Sequence, residues 1–144
     1  MRTPLFHDRI DWSALDLFGH VNNVAVSRFF QAARIAFMDS IGLRVFPGIR
    51  LGPILAHTDV DFRRQLHFPG SVRVHTRLKR IGNASITLEH ALLDDGGLLA
   101  ASSTETIVYF DFEHGKSLRV PDEIRRAAEE IGTVPDEEFP SFSK

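Results

Sequence analysis

The sequence predicts an α+β fold in which a curved antiparallel sheet wraps one long central helix. Three observations predict it. Positions 24–41 form a helical stretch that is apolar around most of its circumference. Four long stretches follow at 54–62, 71–81, 84–92 and 98–112, β-branched or alternating in pattern. Phe68-Pro69-Gly70, Gly82-Asn83 and Asp94-Asp95-Gly96-Gly97 separate them as turn signals, so the last three read as a meander of hairpins. The chain has 144 residues, 43% hydrophobic, which suits one domain and is too apolar for disorder.

Each element has a local reason. Residues 5–12 are short and β-like, and 13–23 form a loop rich in Ser, Asp, Gly and Asn. Asn22 or Asn23 is a good N-cap for the helix, and Gly42 stands where a C′ glycine ends it. Ser27, Gln31 and Arg34 leave that helix only a narrow polar stripe, so it is expected to be buried and to need a wrapper. One small sheet is not enough surface to cover it, and a partner sheet is expected. Residues 42–53 read as an irregular loop. Pro121-Asp122-Glu123 starts a short helix to about Ile131, with acids in its first turn. The domain is expected to span 1–131, with 132–144 as a loosely held tail.

Composition removes several classes. Seventeen basic against nineteen acidic residues give −2, so no global field holds nucleic acid or an anionic membrane, and any anion site must be local. With no cysteine, disulfides, thiolate metal sites and Cys nucleophiles are excluded. No apolar run approaches the ~20 residues of a bilayer span. The opening MRTPLFHDRIDW lacks the apolar stretch of a secretory signal, so a soluble, cytoplasmic protein is expected. Twelve Phe against one Tyr and one Trp suit a packed core or an apolar ligand tunnel.

The polar residues concentrate just before the helix, in Asp16-Leu17-Phe18-Gly19-His20-Val21-Asn22-Asn23. A helix N-terminus presents unpaired N–H groups and partial positive charge, suited to an anion or a developing oxyanion. Asp16, on a loop that turns at Gly19, is placed to reach the same space. One carboxylate facing one polarising amide is the minimum equipment for attack on an acyl carbonyl. A capping or Asx-turn role for Asp16 is the competing reading.

The pattern Asp-x-x-Gly-His-Val-Asn-Asn, followed by a helix carrying Arg34, resembles the 4-hydroxybenzoyl-CoA thioesterase family of hotdog-fold proteins. Asp59-Val60-Asp61-Phe62-Arg63-Arg64-Gln65-Leu66, Gly82-Asn83-Ala84-Ser85 and Val120-Pro121 continue the likeness, over about residues 5 to 130. The resemblance implies a hotdog fold acting on acyl-CoA thioesters. It implies a homo-oligomer, a dimer or dimer of dimers (a tetramer), with active sites at the dimer interface. Asp16 falls on the catalytic carboxylate, as nucleophile or as general base on water. Asn23 falls on the position whose backbone N–H polarises the thioester carbonyl. No metal or other cofactor is implied. Val26 stands where the family usually has Tyr, Gln31 where it commonly has Glu, and Asn83 where a basic residue often lies.

Other residues join the candidate site by position. His20 is read first as a lock on the loop and second as a substrate contact. Asn22 is the cap or a loop-ordering amide. His57, Asp59 and Asp61 alternate and share one face of a strand, making His57 and Asp61 candidates if that strand lines the cleft. Lys79 and Arg80 are the first candidates for the CoA phosphates, with Arg63 and Arg64 behind them. Arg34, on a buried helix, needs a carboxylate partner, expected from the loop or a neighbouring subunit. Alternatives are a non-catalytic protein that binds acyl-CoA or an acyl carrier, and, ranked below it, a hotdog hydratase or dehydratase.

Overall fold

The computed structural model describes residues 5–141. Strand β1 (Leu5–Arg9) leads through a 3-10 turn at Trp12–Ala14 to α1 (Asn23–Ser40). Strands β2 (Leu51–Phe62), β3 (Ser71–Ile81), β4 (Ser85–Leu93), β5 (Leu99–Asp111) and β6 (Lys116–Ser117) follow, and α2 (Asp122–Gly132) and a second 3-10 turn at Asp136–Glu138 end the order. The sheet is antiparallel in the order β1-β3-β4-β5-β2, with β6 added to β5. The meander β3-β4-β5 is the one the turn signals predict. Strand β2 precedes the meander yet pairs with its last strand, from Leu51↔Asp111 to Phe62↔Ala101. It therefore forms one edge of the sheet.

Both ends of α1 follow from side-chain chemistry. Asn22 is the N-cap, its Oδ1 accepting the Ala25 N–H at 2.8 Å. At the other end Gly42 takes φ +91, a left-handed conformation glycine adopts without a Cβ penalty. The Leu43 N–H then reaches the Met38 carbonyl at 2.8 Å and the Gly42 N–H that of Asp39 at 3.2 Å, a Schellman ending. Leu43 and Met38 both sit in the core beside it.

The inner face of the sheet and one face of α1 make two apolar clusters. Near the start of α1, Val26, Phe29, Phe30 and Ala33 pack on Ile10, Val72, Val74, Leu92 and Ala101. Near its end, Phe37, Met38 and Ile41 pack on Ile86, Leu88, Ile107 and Ala128 of α2. Arg34 sits between the clusters, and its turn inward corrects two expectations. It is not part of the outward polar stripe, and its carboxylate partner is Glu105 of β5, not the loop before the helix. The helix is also less enclosed than its composition predicts: Val24 is 64% and Ile35 47% exposed in a single chain.

The segment after α2 is packed. Val134 and Phe139 are buried against Ala91 and Leu99, on the sheet face away from α1. Arg77 holds this segment with its guanidinium over the Phe139 ring at 4.4 Å and an ion pair to Asp136 at 2.8 Å. The sequence reading leaves this stretch loose because its apolar residues are too sparse to show a period.

Candidate active site

The loop before α1 is built by Asp16. Its Oδ1 accepts the N–H groups of Phe18 at 2.8 Å and His20 at 3.2 Å. The Gly19 N–H returns to the Asp16 carbonyl at 3.1 Å, and the Asp16 N–H to that of His20 at 2.8 Å. Such closure needs a positive φ, which Gly19 supplies at +78. Asp16 thus makes the Asx turn of the competing reading, with one oxygen; no described hydrogen bond takes its Oδ2. The loop tip leaves Leu17 and Phe18 exposed.

Two contacts pin this loop to the segment after β2. The Val21 N–H donates to the Leu66 carbonyl at 3.0 Å. His20 pairs with His67 as an isolated bridge, their rings edge-on at 5.3 Å. His20 therefore acts on the loop through its backbone and its ring face. Asn22 does both things its sequence context suggests: beyond the cap, its Nδ2 donates to the Ala14 carbonyl at 2.8 Å.

Asn23 is the first residue of the helix. Of the four leading N–H groups, Ala25 is capped and Val26 reaches the Asn22 carbonyl at 3.2 Å. The N–H groups of Asn23 and Val24 have no acceptor inside the helix, which is the geometry of an oxyanion donor. Two cavities flank them. One of about 300 Å³ lies between Asn23, Val26, Phe62, Arg63, Arg64 and Leu66. The other, about 440 Å³, lies between β1 and α1, with Val24, Ala25 and Phe29 among its walls and Arg9 and Arg28 beside them. Asp16 lines neither cavity in the single chain.

A model of the thioesterase-like superfamily matches residues 10–128, most of the chain and all of this site. The chain belongs to the thioesterase-like superfamily. Solved structures agree with that placement. A predicted thioesterase from Bacillus stearothermophilus is 28% identical, with 91% of this chain and 98% of that chain covered at a TM-score of 0.79. The PA2801 protein of Pseudomonas aeruginosa is 27% identical, covering 87% of this chain and 97% of that one at 0.80. A thioesterase from Thermus thermophilus, solved in complex with coenzyme A and zinc, is 25% identical, covering 92% and 97% at 0.75. The sheet around a central helix is the hotdog fold that the resemblance implies.

In this superfamily member the remaining candidates lie elsewhere. His57 and Asp61 are on the sheet face turned away from α1, because the residues of β2 on the helix side are Thr58, Val60 and Phe62. Asp59 on that outer face accepts the Thr104 N–H at 3.0 Å and pairs with His57 at 3.3 Å. Lys79 and Arg80 are exposed at the end of β3, beside the C-terminal half of α1, a helix length from Asn23. Lys79 is the unpaired residue of a bulge between Leu78↔Leu88 and Arg80↔Thr87. Arg63 and Arg64, ranked second as phosphate contacts, are the cations beside Asn23. Among the described residues one three-membered group of metal-ligand type comes together, Asp111, Glu113 and His114 after β5. Asp111 already pairs with His114 at 2.7 Å and Glu113 with Arg50 at 2.9 Å, at the other end of the sheet.

Sequence reasoning missed Glu105, His90 and Thr76. A signal for two of them exists: His90 stands between Leu88 and Leu92, and Thr76 between Val74 and Leu78, whereas Glu105 has Ile107 on one side and Ser103 on the other. A buried Arg34 without a nearby acid in sequence is the other half of that signal.

Proposed function

We infer that the protein hydrolyses an acyl-CoA thioester to a carboxylic acid and CoA. The observation that carries this reading is the start of α1, where Asn23 and Val24, whose backbone N–H groups have no helical acceptor, each line a cavity. A thioester carbonyl accepting from the Asn23 N–H gains stabilisation as its oxygen becomes negative; one such donor contributes about 10²–10³ in rate. Asp16 Oδ2 supplies the second component. As nucleophile it adds to the carbonyl carbon, the C–S bond breaks, CoA leaves as the thiolate, and water cleaves the acyl–Asp16 anhydride. As general base it takes a proton from water, whose oxygen adds to the same carbon before the thiolate departs. A thiolate is a good leaving group, so neither route needs a strong general acid.

The CoA complex of the Thermus relative supports CoA as the thiol. Arg63 and Arg64 line the cavity with Asn23 and there adjoin the thioester end of the substrate, since the CoA phosphates lie a pantetheine arm away from the carbonyl. Lys79 and Arg80, exposed beside the far half of α1, remain candidates for those phosphates. A homo-oligomer is supported by the open edge of β2 and by the uncovered Val24 and Ile35.

One observation favours a second reading, a protein that binds acyl-CoA without cleaving it. Asp16 is held in its turn and lines neither cavity. Free-thiol release from short, long and aromatic acyl-CoAs separates the two. Turnover by the wild type that is lost in Asp16→Asn supports hydrolysis. Stable binding without thiol release at high protein concentration supports the binder.

A further inference from the structure

A belt of polar side chains crosses the middle of the core, between its two apolar clusters. It takes one residue from each of four neighbouring strands and one from the helix. Thr76 of β3 lies 2.7 Å from His90 Nδ1 on β4, and His90 Nε2 lies 2.6 Å from Glu105 Oε1 on β5. Glu105 Oε2 accepts from Arg34 Nη1 of α1 and from Thr58 of β2, the latter at 3.4 Å. The side chains of His90 and Glu105 are 0% and 2% exposed, and that of Arg34 is 13%.

One assignment of the His90 ring protons satisfies these hydrogen bonds. The Thr76 hydroxyl donates to His90 Nδ1, and the Nε2–H donates to Glu105, whose second oxygen takes the guanidinium. Every charged or ring group in the belt then has a partner. A buried ion pair adds little net stability over apolar residues of the same size, whereas its directional bonds fix the elements that carry it. Apolar packing alone lets a helix slide or rotate between near-equivalent contacts. A guanidinium tied to one carboxylate of β5 does not.

We propose that Arg34, Glu105 and His90 are positioning residues that set the axial and rotational placement of α1, and with it the Asn23 amide that polarises the thioester carbonyl. This rests on the hydrolytic reading for its catalytic consequence, but its structural claim stands apart from it. Arg34 lies about 16 Å along the axis from Asn23 on a continuous helix, so a small shift at the belt is carried undiminished to the tip. A displacement of about 1 Å at a reacting group costs up to about a hundredfold in rate.

The test replaces the belt by apolar residues of similar size, in the triple variant Arg34→Met, His90→Leu, Glu105→Leu. Folding is followed by thermal denaturation, turnover by thiol release, and helix placement by the amide ¹H–¹⁵N resonances of Asn23 and Val24. The expected result is a melting temperature at or above wild type with kcat lowered about a hundredfold, KM within about threefold, and both resonances moved. Glu105→Gln keeps the shape but leaves the Arg34 guanidinium without its anion, so it lowers the melting temperature while shifting kcat and both resonances as the triple variant does, to a smaller degree; it decides the matter if the triple variant does not fold. Wild-type kcat and unmoved Asn23 and Val24 resonances would overturn the proposal. If the wild type cleaves no acyl-CoA, the hydrolytic reading fails, and the resonances alone decide whether the belt places the helix.

Discussion

Asp16 has two oxygens with different tasks. Oδ1 closes the turn with Phe18 and His20, and Oδ2, which no described hydrogen bond takes, is the oxygen the proposed hydrolysis uses. Substitutions separate the tasks. Asp16→Asn keeps an acceptor for both N–H groups and removes the charge, so its fold should persist while turnover falls about 10²–10⁴-fold. Asp16→Ala loses both, and its melting temperature should fall as well; equal melting temperatures in the two variants would show the turn to be unimportant. Asn22→Ala removes the helix cap and the bond to Ala14, and is expected to cost about 1–2 kcal/mol, or roughly 3–6 °C in melting temperature. The sequence displays this motif plainly, because turn formers, cap and helix start fall within eight consecutive residues. It does not display Glu105 or His90, which meet Arg34 only after strands separated by many residues are laid side by side.

Elements carry the next set of consequences. The ends of α1 are legible in sequence because a cap asparagine and a C′ glycine act on their nearest neighbours. Gly42→Ala forces a Cβ into φ +91 and should destabilise by about 1–2 kcal/mol, read from urea denaturation, although open space surrounds it. The edge position of β2 is not legible, since no local pattern says which end of a meander an earlier strand joins. Strand β3 carries a titratable group, His75, whose pKa is held below its ordinary 6.5 by burial, followed by the nearby Arg73 guanidinium. The folded chain therefore favours neutral His75, while the unfolded chain takes up a proton near 6.5. Its contribution to stability is complete above that pH and is lost as pH falls towards the folded value. Thermal midpoints should decline as pH falls through and below the ordinary histidine value of 6.5, and His75→Gln should flatten that decline. A slope unchanged by this substitution would assign it to other groups.

At the scale of the whole molecule, one chain leaves features that a second copy would cover. Strand β2 is an open edge with Ile54, Leu55 and Phe62 each about two-fifths to one-half exposed. Val24 and Ile35 add apolar surface on α1, and Leu17 and Phe18 stand at the tip of the Asp16 loop. The composition of α1 points to this in advance: its apolar circumference exceeds what one sheet covers. Light scattering should find a dimer or dimer of dimers, and Ile54→Asp on the open edge should shift the mass towards a monomer and lower turnover with it. A fully active monomer would place the complete site within one chain. No described helix is long and apolar enough to cross a membrane.

Vibrational spectroscopy directly reads a thioester carbonyl bound at the tip of α1. An acyl-CoA labelled with ¹³C at the thioester carbonyl, bound to Asp16→Asn so that it is not consumed, reports the field at the Asn23 amide. The predicted result is a C=O stretch displaced to lower frequency than that of the same thioester in water. A bound thioester whose stretch matches or exceeds the aqueous value would contradict it.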